Sequence, residues 1–186
     1  LVETDRQPLN LADTSPTSVE VAIAEPAMQY MHSGCTLQTG IGGIPSQVAK
    51  MIAEGPLGDF GVHSEMFTTG LMHLHQAGKV TNNKGLFDGY SVTTFAAGVP
   101  ELYEWLHEND AVRFLPVRIV NSPELIAQNR HMVTINGALA VDLSGQVVAD
   151  TISGAQFSGI GGHEDFVSGP GLSADGRSLI CLPSSS

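Results

Sequence analysis

The chain has 186 residues, enough for one domain with a lead-in segment, and 42% of them are hydrophobic, enough for a substantial core. Only 15% are charged, against roughly 25% in an ordinary soluble domain, which points to surface covered by another domain or subunit. The net charge of -11, from 8 Lys and Arg against 19 Asp and Glu, argues against nucleic acid and against an anionic membrane surface as partners.

Residues 1–17 are polar with Pro8 and Pro16, and read as a lead-in. Apolar residues at helical spacing predict a helix over 18–32, kinked or broken at Pro26. A strand follows over 35–39, then a helix over 44–54 with Pro45 in its first turn, where proline is tolerated. The pattern continues with a strand over 60–64, a helix over 68–77 closed by Gly78, a strand over 91–97, a helix over 100–108, a strand over 112–117 and a short helix over 122–128. From His131 the texture turns to short strands between turns, over 132–136, 138–142, 146–150, 155–158 and 178–182. Alternation of strand and helix predicts an α/β fold with an open, mainly parallel twisted sheet and flanking helices, followed by a β-rich C-terminal part.

No apolar run approaches the roughly 18 residues of a membrane-spanning helix. The two cysteines, Cys35 and Cys181, imply no disulfide framework and suit reduced thiols in a cytoplasmic protein. The visible start, Leu1-Val2-Glu3-Thr4-Asp5, is no signal peptide and reads like the middle of a longer chain.

Three stretches carry candidate chemistry. In the first, a strand runs into Gly40-Ile41-Gly42-Gly43 and then Ile44-Pro45 at a helix start. Backbone N–H groups there are free to meet an anion or an oxyanion, although a tight strand-to-helix turn explains the glycines equally well. The spacing is neither the dinucleotide fingerprint, because Pro45 occupies the place of its third glycine, nor a phosphate loop. In the second, Glu65 ends the strand of Gly61-Val62-His63-Ser64, where open α/β sheets place their ligand crevice. From spacing alone, a carboxylate serving the dipole of the next helix is the simpler explanation. In the third, Ser158-Gly159-Ile160-Gly161-Gly162 repeats the strand-to-glycine pattern, and two such loops suit two anionic parts of a substrate or two oxyanions. His73 and His75 point to different helix faces and cannot share a metal, and no metal site is expected.

Together these residues resemble the acetyl-CoA hydrolase/transferase family, which includes 4-hydroxybutyrate CoA-transferases. The resemblance is carried by Leu37–Pro45, Gly61–Met66, Gly78–Asn82, Val120–Asn129, Ile135–Val147 and Ser158–Phe166, in family order from about residue 30 to the C-terminus. It implies two similar α/β domains with the active site in the cleft between them. Residues 1–30 would then be the lead-in and junction to an absent N-terminal domain, and 31–186 the C-terminal catalytic domain. It implies CoA transfer between a short-chain acyl-CoA and a small carboxylate such as acetate, by ping-pong through a glutamyl-CoA thioester on Glu65. Asn121, Gly161 and Gly162 would complete the catalytic set, with Gly40, Ile41, Gly42, Gly43, Ile44 and Asn136 on the CoA side. Coenzyme A is then a substrate and no permanent cofactor is expected, while family habit and low surface charge imply a homo-oligomer. The chain departs from the family pattern at Thr69, usually Asp, and at His163-Glu164, usually Gln or Ser, both of which bear on acceptor choice. Three alternatives stay open from sequence: a hydrolase using the same Glu65, a non-catalytic acyl-CoA-binding domain, and a structural domain that only pairs with another chain.

Overall fold

The computed structural model describes residues 3–12 and 14–184. Positions 1, 2 and 13 of the expected lead-in and the last two serines lie outside the described residues.

The first helix, α1 (Ser18–Ala27), opens with a reciprocal capping box. The Thr17 side chain accepts from the Glu20 N–H, and the Glu20 carboxylate accepts from the Thr17 N–H at 2.7 Å. Pro26 falls in the last turn, and a short 3-10 turn, Met28–Tyr30, ends the segment. Ala24, Ala27 and Met31 enter the main core. Then come β1 (Thr36–Thr39), α2 (Gly43–Glu54) and β2 (Gly61–Val62). They are followed by β3 (Met66–Thr68), α3 (Thr69–Gln76), β4 (Ser91–Thr93), β5 (Phe95–Ala97), α4 (Pro100–Leu106) and β6 (Val112–Phe114). Two short helices, α5 (Val117–Val120) and α6 (Pro123–Ile126), lead to β7 (Met132–Gly137). Two small hairpins follow, β8 (Ala140–Val141) with β9 (Val147–Val148) and β10 (Thr151–Ile152) with β11 (Ala155–Gln156). The last elements are α7 (His163–Leu172) and β12 (Arg177–Cys181).

The central sheet runs β12-β7-β1-β2, all parallel. A single parallel bridge, His63 to Val92, carries it on to β4, which pairs with β6. Strands added before β7 extend the sheet to one side of β1, and β7 and β12 extend it to the other. The order therefore reverses between β1 and β7, and that switch point is where doubly wound sheets open a crevice. Both faces are covered. Along β7, Val133 and Ile135 join the core under α1 to α4, whereas Met132 joins the smaller core that holds Phe166 of α7. Thr134, on the same face as Met132, donates to the Phe166 carbonyl at 2.6 Å. Period-2 alternation thus assigns one face of each strand to each helical layer.

Several elements differ from the sequence expectation. The strand expected over 91–97 is two, because Thr94 breaks it and the halves pair with different partners. The segment expected as strand to Val117 turns helical there, since Pro116 starts α5. Strand β3 was not expected; the chain turns at Ser64-Glu65 and resumes beside β5. Helix α7 was also not expected, and β7 and β12 belong to the main sheet, so only the two hairpins remain as the β-rich C-terminal part. Among the described residues no helix is long and apolar enough to cross a membrane.

Candidate active site

Glu65 stands at the break between β2 and β3, on the α7 face of the sheet. Its backbone carbonyl is pinned by four donors from the parallel break in the neighbouring strand. These are the N–H groups of Thr94 at 2.9 Å and Phe95 at 3.3 Å, and the hydroxyls of Thr93 and Thr94, both at 2.9 Å. A carboxylate on so firmly held a backbone has little freedom beyond its own side-chain rotation, which is the preorganisation a nucleophile needs.

The carboxylate is half-buried and meets Asn121, whose Nδ2 donates to Oε2 at 2.9 Å. Asn121 caps the C-terminal end of α5, and His63 holds that end in place. The His63 ring is fully buried, with Nε2 donating to the Val120 carbonyl at 2.8 Å and Nδ1 accepting from Asn129 Nδ2 at 3.1 Å. A carbonyl can only accept, so this pairing fixes the neutral tautomer with its proton on Nε2. Burial pushes the imidazole down to about 4, well below its ordinary range. Two residues before Glu65, His63 thus ties the end of β2 to the turn that carries Asn121.

The third wall is the start of α7. A Cβ on Gly162 would overlap Glu65 Oε2 and stand 2.5 Å from Asn121 Nδ2. Only glycine lets this helix start approach so closely. Gly161, at φ +57°, adopts the left-handed backbone that delivers it. The first N–H groups of a helix lack intrahelical partners, so the start of α7 offers donors beside the carboxylate. Asp165, in the same first turn, reaches Asn121 Nδ2 at 3.4 Å.

These walls bound a cleft of about 430 Å³ at the switch point. Glu65, Gly40, Ile41, Asn136, Gly161 and Gly162 all line it, with Asn121 just beneath Glu65. Asn136 forms a reciprocal amide pair with Gln38 across β1 and β7, at 3.0 and 3.2 Å. Gly42 and Gly43 line an adjoining cavity of about 220 Å³ that shares Gly40 and Ile41 with the cleft, and the Glu20 carboxylate of α1 packs against Gly43. The Ile44 side chain is buried in the main core, so only its backbone is placed to meet a ligand. Among the described residues no Lys or Arg lines the cleft, so negative charge there is met by amides, backbone N–H groups and the His163 ring. Ile41, Phe95, Leu139 and Ile160 stand at its edge as exposed apolar side chains. Among the described residues no group of three His, Cys, Asp or Glu side chains is placed to bind a metal.

Sequence reasoning gave no role to His63, the Thr93-Thr94 clamp or Asp165. The period-2 relation of His63 to Glu65 was the one available signal. The other contacts depend on chain segments far apart in sequence.

The sequence and fold recur in known proteins. Residues 98–186 match the acetyl-CoA hydrolase/transferase C-terminal domain. The chain is 37% identical over 186 residues to a probable butyrate:acetyl-CoA coenzyme A-transferase of Syntrophomonas wolfei, covering 99% of this chain and 42% of that protein. It is 39% identical over 185 residues to a 4-hydroxybutyrate coenzyme A transferase of Clostridium kluyveri, covering 99% and 43% respectively. The crystal structure of RipA from Yersinia pestis superposes with a TM-score of 0.90 at 37% identity, over 96% of this chain and 40% of that one. The chain therefore spans well under half the length of the relatives it matches.

Proposed function

The chain belongs to the acetyl-CoA hydrolase/transferase family, and from that premise we propose that it is the catalytic half of a CoA-transferase with Glu65 as the covalent nucleophile. The observation that carries the reading is the carboxylate itself. It is backbone-pinned, bonded to Asn121 at 2.9 Å, and set against Gly162 in a cleft at the sheet's switch point.

Glu65 attacks the thioester carbonyl of a short-chain acyl-CoA, and the C–S bond breaks to leave a mixed anhydride and CoA thiolate. The thiolate then attacks the Glu65 carbonyl, releasing the donor acid as its carboxylate and leaving a glutamyl-CoA thioester. An acceptor carboxylate such as acetate attacks that thioester and regenerates an anhydride and thiolate. Attack of the thiolate on the acceptor's acyl carbon gives the new acyl-CoA and free Glu65. Covalent catalysis of this kind divides one difficult exchange into easier steps. Each step passes through an oxyanion, and each well-placed donor, from Asn121 or from the N–H groups around Gly161 and Gly162, is worth roughly 3–4 kcal/mol to it.

Gly40, Ile41 and Asn136 lie on the side where the CoA arm enters. The exposed apolar edge at Ile41, Phe95, Leu139 and Ile160 fits a second domain that completes the cleft, in keeping with the greater length of the relatives.

The test is intact mass, on the full-length polypeptide carrying this chain. Acetyl-CoA should leave one covalently bound CoA, mapped to the Glu65 peptide and absent from Glu65→Gln. A folded protein that binds CoA without forming the adduct would replace this reading with that of a binding domain.

A further inference from the structure

The amino group of Asn121 is shared between two carboxylates, Glu65 Oε2 at 2.9 Å and Asp165 Oδ2 at 3.4 Å. Its other end is unusual. Asn121 is only 8% exposed, yet Oδ1 is buried without a hydrogen-bond partner. A side-chain amide can present either end by rotating half a turn, and a lone buried acceptor costs free energy. Rotation would give Oδ1 the place now held by Nδ2, facing two negative groups. The observed orientation is therefore held by the carboxylates, not by any reward at Oδ1.

Glu65 does not keep its charge through the proposed reaction. As an anhydride or a CoA thioester it is neutral, and its hold on the Asn121 amino group weakens. Asp165 takes no part in the covalent steps and keeps its charge. We propose that Asp165 is a positioning residue that acts through Asn121. It keeps Nδ2 aimed at the Glu65 carbonyl oxygen while Glu65 is acylated, so that the donor is in place when the next oxyanion forms. Nδ2 then serves the breakdown of the glutamyl thioester as well as its formation. The architecture suits this role, because Asp165 sits in the first turn of α7, one turn beyond the glycines that bring the helix against Glu65. Service to the helix dipole, the bland role of an acid at this position, does not by itself explain the contact with Asn121.

The inference rests on Glu65 being the acylated residue, and the test separates the two claims. Transfer rates and the rate of CoA adduct formation are measured in the full-length polypeptide for wild type, Asp165→Asn, Asp165→Glu and Asn121→Ala, and for each Asp165 variant combined with Asn121→Ala. Thermal melts check that each is folded. Asp165→Asn keeps the shape and removes the charge, and should lower kcat roughly 10-fold or more with little change in KM for acyl-CoA. Asp165→Glu keeps the charge and should recover part of that loss. In the Asn121→Ala background both Asp165 changes should alter the rate by less than about 2-fold, since residues acting through one another are not additive. An Asp165→Asn effect that persists undiminished without Asn121, or no effect at all with Asn121 present, overturns the inference. Failure of wild type to form the adduct overturns instead the assignment of Glu65.

Discussion

Gly162 and Glu65 are packed so closely that a single added methyl group would occupy the carboxylate's place. The Cβ of an alanine at 162 would overlap Oε2 and stand 3.1 Å from Cδ. Gly162→Ala should therefore displace either the carboxylate or the start of α7. If Glu65 is the proposed nucleophile, a shift of that size costs on the order of 100-fold in rate. The protein should melt close to wild type, because Glu65 can swing into the open cleft. Adduct formation by mass and a thermal melt on the same sample check both halves of this expectation.

Asn121 bonds Glu65 directly, and in the proposed mechanism its loss removes a donor from every oxyanion step. Asn121→Ala should reduce transfer by roughly 100-fold. Asn121→Asp should do worse, because it sets a third carboxylate beside Glu65 and Asp165. Steady-state kinetics with acetyl-CoA and a second carboxylate would show the ranking. Wild-type activity of Asn121→Ala would remove Asn121 from the mechanism.

Much of this site is legible in the sequence, and its remainder shows why some is not. The glycine loop after β1 and the carboxylate ending β2 lie at strand ends, and the strand–helix alternation that fixes those ends is local. Helix α7 is not legible. Its inner face is Phe166, Gly169 and Pro170, with one large apolar side chain and two residues of poor helix propensity. It forms because tertiary contact demands it: Gly169 lets it close on Ile126 of α6, and Thr134 anchors the Phe166 carbonyl. Asp165 is hidden for the same reason, since its meaning depends on where α7 docks. The break at Thr94 is equally silent, because only the two separate pairings reveal it. The sequence spacing also does not show that the second half of the glycine loop lines a second cavity, or that the Ile44 side chain is buried in the core.

The Gln38–Asn136 amide pair bridges β1 and β7 at the switch point, with both side chains buried. Removing one partner leaves the other amide without its bonds, at a cost of about 1–3 kcal/mol. Asn136→Leu should destabilise by that amount in urea unfolding. Adding Gln38→Leu should recover most of the loss, because an apolar pair leaves nothing unsatisfied. A purely ligand-facing Asn136 would show neither the loss nor the recovery.

His63 makes stability depend on acidity in a defined direction. Its folded pKa is lowered to about 4 from an ordinary 6.5, chiefly by burial. As pH falls below 6.5 the unfolded chain takes up the proton first, while the folded ring stays neutral until about 4. The unfolded state binds more protons throughout that window, so stability rises with pH across it and is lost on acidification. Complete loss of the His63 contribution amounts to about 3 kcal/mol. His75, also lowered to about 4 by burial, adds to the same slope. His63→Gln can still offer a donor to the Val120 carbonyl but cannot titrate. It should therefore show a visibly flatter rise in urea stability between pH 4 and 6.5 than wild type, with little difference in slope above pH 7. An unchanged slope in His63→Gln would mean that the ring is protonated, or free of the Val120 carbonyl, in the folded state. Asn121 would then lack the support that the buried imidazole gives it.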